Sequence, residues 1–152
     1  MIVIGFRASP SEVYYSIAER ADETISILSV EEIRIPISLN FPEKLNFVRK
    51  TIKDIIFEYQ ITRAGIRTTE STAQRFNIER VSIEAIIQEV LSRSPIEKYF
   101  VGQISNISSK LGIPRTDFKK IIEEKKSHHH DIDLSDYNNK EKESILVAIA
   151  SL

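Results

Sequence analysis

The sequence predicts an α/β protein built on a mixed sheet: an antiparallel three-strand meander first, parallel strands after it, and helices on the flanks. Three observations carry this. Three strand-like runs come before any helix, a long amphipathic helix separates them from a fourth run, and the rest of the chain alternates helical and extended patterns. A meander followed by helix–strand alternation closes into one mixed sheet, because a helix crossing between two strands leaves them parallel.

The opening "MIVIGFRA", Met1 to Ala8, is apolar and β-branched, the pattern of a buried strand, and Pro10 and Ser11 end it. "VYYSIAER" (Val13 to Arg20) and "TISILSVEEIRIP" (Thr24 to Pro36) read as two more strands around the turn "ADE". In the second of these, strict alternation puts Ser29 on one face with Ile25 and Ile27, opposite Ser26 and Leu28. "FPEKLNFVRKTIKDIIFEYQ" spaces Phe41, Leu45, Val48, Ile52, Ile55, Ile56 and Tyr59 at three- and four-residue steps, so it is a helix. Asn40 is placed to cap it, with Pro42 and Glu43 in its first turn. "ITRAGIRTTE" follows as a short strand parallel to the first.

A helix within Ser71 to Arg93 comes next, with Val81, Ile86, Ile87, Val90 and Leu91 as its apolar residues and Pro95 closing it. "KYFVGQIS" (Lys98 to Ser105) is a further strand, "NISSKLG" one or two helical turns ended by Gly112, and "RTDFKKIIEEKK" a short charged helix. "SHHHDIDLSDYNN" is polar throughout and reads as a loop. "KEKESILVAIASL" is a terminal helix with Ile145, Leu146, Ile149 and Leu152 towards a core. With no internal repeat and no linker, residues 1–152 are expected to form one domain.

The chain is 41% apolar and 28% charged, the balance of a globular protein with a proper core. A net charge of −1 excludes a uniformly basic nucleic-acid binder but leaves room for a local basic patch. The lack of cysteine excludes disulfides, thiolate metal sites and cysteine nucleophiles, and fits a reducing compartment. No leader pattern is present and no apolar run approaches the roughly 20 residues of a spanning helix, so a cytoplasmic, non-membrane protein is expected.

The order of elements, with the phrases "IGFRAS", "AGIRTTE" after a long helix and "KEKESILVAIA" at the end, resembles the ribonuclease H-like superfamily, and within it the RuvC-type resolvases. That resemblance implies a centre where carboxylates from the first strand, the strand after the first helix and the last helix hold two divalent cations and cut a nucleic-acid phosphodiester. Hard cations need such oxygen ligands, and a metal pair stabilises both the attacking and the leaving oxygen. Carried onto this chain, the first-strand position falls at Arg7 and the middle one at Arg67, with Glu70 three residues on. The last-helix pair falls at Lys140 and Glu143.

Three of the four positions are therefore cationic. Guanidinium and ammonium groups do not ligate Mg²⁺, and exchanging an anion for a cation turns attraction for a dication into repulsion. The resemblance thus implies an inert relative without a metal cofactor, with Arg7 at the former ligand position and pairing with Glu70 or Glu143. A shift of register keeps a second option open, in which Glu70, Glu141 and Glu143 hold Mg²⁺ or Mn²⁺, although the first strand offers no acid before Glu12.

Other signals are weaker. Neighbouring histidines point different ways, so His128, His129 and His130 read as a solvated loop, with His130 and Asp131 or Asp133 as the remaining metal option. Lys110, Arg115, Lys119 and Lys120, followed by Lys125 and Lys126, form a secondary basic run suited to phosphates; Glu123 and Glu124, four residues after Lys119 and Lys120, favour surface ion pairs instead. Gly65 and Gly102 mark a ligand's approach or tight packing, and of Tyr14 and Tyr15 only one can face any bound base. Thr68 and Thr69 have no histidine nearby in sequence to activate a hydroxyl.

Three functions remain open from sequence: an inert module that binds nucleic acid, DNA rather than RNA, or a protein partner; a nuclease with relocated ligands; and a purely structural subunit. The resemblance also implies a possible homodimer, through the apolar face of the helix within Ser71 to Arg93.

Overall fold

A computed structural model describes all of residues 1–152. Five strands form the main sheet: β1 (Ile2–Ala8), β2 (Glu12–Ala21), β3 (Thr24–Arg34), β4 (Arg63–Arg67) and β5 (Lys98–Gly102). Their order is β3-β2-β1-β4-β5, antiparallel from β1 to β3 and parallel from β1 through β4 to β5. Helices α1 (Phe41–Glu58) and α2 (Ile78–Arg93) cover one face, packing Val48, Ile52, Ile83 and Ile87 on Ile4, Phe6 and Ile17. The other face carries α5 (Asn139–Ala150), backed by α3 (Ile104–Leu111) and α4 (Arg115–Glu123). No helix is long and apolar enough to cross a membrane.

Local chemistry explains the element ends. Asn40 Oδ1 accepts from Glu43 N while Glu43 Oε2 accepts from Asn40 N, both at 3.0 Å, a reciprocal cap that fixes the start of α1. Asn138 and Glu141 repeat this arrangement on α5. Gly112 ends α3 in the left-handed region at φ 69°, where a side chain would be strained.

Gly5 sets how closely α5 lies on the sheet: a Cβ there would stand 2.2 Å from Ala148 N and 2.3 Å from Ser144 O. One turn away, Ser16 and Ser144 hydroxyls meet at 2.6 Å and tie β2 to the same helix.

Four details differ from the sequence expectations. The β2–β3 register shifts between Ile17 and Ala18, which pair with Ser29 and Ile27, so Leu28 is an extra residue. The shift sends Ser29 to the α1 side opposite Ile17, and brings Val30, not Ser29, into the α5 core with Ile25 and Ile27. The fifth strand stops at Gly102, because Asn106 Oδ1 accepts from Gln103 N at 2.9 Å and starts α3 there. Val81 is exposed; the buried stripe of α2 is Ile83, Glu84, Ile87, Val90 and Leu91. The histidine segment is not a plain loop but a two-stranded hairpin, β6 (His128–His129) and β7 (Ile132–Asp133), turned at His130 with φ 51°. It forms because Ile132 and Leu134 pack into the α5 core, an interaction a polar composition conceals.

Candidate functional site

The in-register pairing of β1 with β4 sets Gly5 beside Gly65 and Arg7 beside Arg67. Alternation puts all four on the α5 face. Gly5 lets α5 descend onto the sheet, and two residues further along each strand the arginines rise to meet Glu143 from that helix. Arg7 Nε donates to Glu143 Oε2 at 2.7 Å. Arg67 Nε lies 3.0 Å from the same oxygen but out of line for a hydrogen bond. The three side chains are only 11%, 8% and 13% exposed, so water screens them little.

Glu70 continues the network. Its Oε1 accepts from Ile104 N at the start of α3 at 2.9 Å and lies 3.4 Å from Arg67 Nη2, while Oε2 is 3.8 Å from Arg115. Arg7 also donates to Ala8 O, and Arg67 to Thr68 O at 2.6 Å. Arg7 therefore pairs with Glu143, and Arg67 is the link between Glu143 and Glu70.

Two further charged residues form a separate pair on α2. Glu84 is 3% exposed; it accepts from Thr69 N and Thr69 Oγ1 and pairs with Arg80 Nε at 2.9 Å. Sequence reasoning missed both. The available signal was an Arg–Glu pair four residues apart whose glutamate sits on the apolar stripe beside Ile83 and Ile87, where an unpaired acid would be costly. Burial lowers the pKa of Arg67, opposed by Glu143 and reinforced by Arg7; burial and then the charge of Arg7 lower that of Arg80. Arg67 Nε and Arg80 Nη2 are buried with no hydrogen-bond acceptor.

Lys140 does not enter this cluster. Its Nζ lies 3.4 Å from Ser9 Oγ, 4.0 Å from Glu12 and 5.6 Å from the centre of the Tyr14 ring. Burial, then a hydrogen bond to Glu12, pushes the Tyr14 hydroxyl up to about 12.

The secondary basic run is not one surface. Lys110 sits over the Phe100 ring at 4.7 Å, Arg115 turns to Glu70, and Lys119 and Lys120 lie exposed on α4. The ion pairs expected from Lys119 and Lys120 to Glu123 and Glu124 do not form; α4 ends at Glu123, which takes Glu124 off the helix face. Among the histidines, His128 approaches Asp133 at 3.9 Å across the hairpin, while His129 is buried and its Nε2 has no partner. Gly65 and Gly102 both lie against the Phe100 ring, which accounts for them by packing.

The donor set here does not suit a pair of divalent cations. No three His, Asp or Glu side chains converge anywhere in the chain, and Glu70, Glu84 and Glu143 are each engaged by a guanidinium. Two guanidiniums, those of Arg7 and Arg67, meet at Glu143 and would repel a dication there.

No protein-family model and no curated protein matches the sequence. Solved structures do match. RuvC of Thermus thermophilus superposes with a TM-score of 0.74 at 6% identity, covering 99% of this chain and 92% of that one. The Fowlpox virus resolvase, solved with Holliday junction DNA, gives 0.55 at 15% identity over 99% and 95%. The yeast mitochondrial Holliday junction resolvase gives 0.60 at 9% identity over 97% and 77%. At such identities the likeness is one of fold: the chain has a ribonuclease H-like fold of the RuvC type.

Proposed function

We propose that this chain is a catalytically inert RuvC-like module that binds nucleic acid, DNA in preference to RNA, without cutting it. The observation that carries the reading is the side-by-side placement of Arg7 and Arg67 on adjacent strands, sharing Glu143 where the fold's metal ligands are expected. The similar structures solved with Holliday junctions support DNA as the partner. Arg115 and Lys140, on either side of the cluster, are partly exposed cations able to meet phosphates. No cofactor is required. Mg²⁺ or Mn²⁺ belongs only to the alternative in which Glu70 and Glu143 are relocated ligands, and the guanidiniums that hold both acids argue against it. A homodimer through the exposed Phe76, Ile78 and Val81 at the start of α2 is compatible with this function.

Binding assays with junction, duplex and single-stranded DNA and RNA at low salt, with and without Mn²⁺, test the proposal. Salt-sensitive DNA binding without product is the expected result. No binding to any substrate overturns it, and so does Mn²⁺-dependent cleavage abolished in a Glu70→Gln, Glu143→Gln variant, which establishes the nuclease instead.

A second reading has its own support. Arg7, Arg67 and Arg80 are balanced by Glu70, Glu84 and Glu143 in a mostly buried cluster, as a purely structural centre would be. DNA binding that survives in variants of this cluster favours that reading for the centre itself.

A further inference from the structure

The arginine cluster has more hydrogen-bond donors than acceptors. Arg7 and Arg67 arrive from β1 and β4, and each guanidinium carries five N–H donors in a planar fork. Glu143 serves both side chains through one oxygen, Oε2, and only Arg7 is in line with it. Arg67, 7% exposed, keeps its buried Nε without a hydrogen bond. Buried donors left unpaired are rare in native proteins. The cluster is not sealed: Glu70 and Glu143 keep 19% and 13% of their side chains exposed.

We infer that Glu143 is an internal stand-in for a phosphate group, and that Arg7 and Arg67 bind a phosphate when its carboxylate swings outward. This rests on the proposed nucleic-acid-binding role and names the group the centre would hold. A carboxylate offers two oxygens in a plane; a phosphate offers two terminal oxygens as a diester and three as a monoester, spread tetrahedrally towards the two guanidinium forks. Charge fits as well. With Glu143 withdrawn, Arg7, Arg67 and Arg115 face Glu70 alone, a net excess of two positive charges. Glu143 stands on the first turns of the capped helix α5, with 13% of its side chain already exposed, so the outward route is a change of rotamer towards that opening. The phosphate is a terminal monoester or an internal diester of a strand; the chemistry of recognition is the same.

The test is thermal melting and equilibrium binding on the full chain, with inorganic phosphate against chloride at constant ionic strength. Phosphate is expected to raise the melting temperature of the wild type slightly and of Glu143→Gln strongly, with apparent affinity at least tenfold tighter in the variant. Glu143→Asp, one methylene too short to reach both guanidiniums, is expected to move the same way and serves if Glu143→Gln does not fold. Arg7→Gln is expected to remove the response. A 5′-phosphorylated oligonucleotide that competes better than its 5′-hydroxyl form identifies the monoester; equal competition identifies the diester. Equal phosphate responses in wild type and both Glu143 variants, or an undiminished response in Arg7→Gln, overturn the inference. If DNA still binds in that case, the proposed function stands without it; if phosphate binds and no DNA does, the inference stands and the DNA-binding role falls.

Discussion

Arg67→Met tests whether the cluster is the electrostatic centre of the fold. Arg67 touches Glu143 at 3.0 Å, Glu70 at 3.4 Å and Thr68 O at 2.6 Å, with its side chain 8% exposed. Removing it leaves Glu143 with Arg7 alone and Glu70 with the more distant, half-exposed Arg115. Breaking a buried ion pair by deleting one partner costs about 3–5 kcal/mol, because a charge stays behind without compensation. For a chain of this size each kcal/mol lowers the melting temperature by about 2–4 °C, so the expected fall is about 6–20 °C. Replacing the whole unit behaves differently. Arg7→Met, Arg67→Met and Glu143→Leu together remove these three charges and their desolvation, leaving Glu70 with Arg115, and replacing a whole buried ion cluster in this way is neutral or stabilising by about 1–4 kcal/mol. Urea and thermal unfolding of both variants provide the measurement. A loss under about 1 kcal/mol in Arg67→Met, or a triple variant less stable than Arg67→Met, refutes the argument.

Gly5→Ala should cost about 3 kcal/mol, the upper end for overpacking, since its Cβ would meet backbone atoms of Ala148 and Ser144 that cannot move singly. Gly65→Ala should cost less, because the obstacle is the turnable ring of Phe100; chemical denaturation ranks the two, and the reverse order sinks the packing account. Burial, and then His130, lowers the pKa of His129 below its ordinary 6.5, so the unfolded chain takes up the proton first and stability contributed by the neutral ring is lost as pH falls below about 6.5. His129→Leu should therefore gain on the wild type between about pH 6.5 and 5, and a constant difference in melting temperature across that range contradicts this. Asn40→Ala should destabilise by about 1 kcal/mol through loss of the α1 cap, which calorimetry can read.

Local pattern alone determined much of this protein. The spacing from Phe41 to Tyr59 and the Asn40–Glu43 pair specify α1 without reference to the rest of the chain, and the crossover it makes requires β4 to run parallel to β1. The cationic residues at positions 7, 67 and 140 are equally visible in sequence. What they contact is not. Arg7 and Glu143 are 136 residues apart, and only the β1–β4 register with the descent of α5 over Gly5 makes them partners while leaving Lys140 with Glu12 and Tyr14. The same holds for Glu84 and Arg80, whose helix reads as amphipathic until Thr69 is seen to donate to a buried acid. It holds too for the Leu28 bulge and the His128–Asp133 hairpin, set by cross-strand pairing and by packing on α5. Periodicity and capping act over a few residues, and so are written in sequence; partner choice among buried charges depends on distances that exist only after the sheet has been assembled.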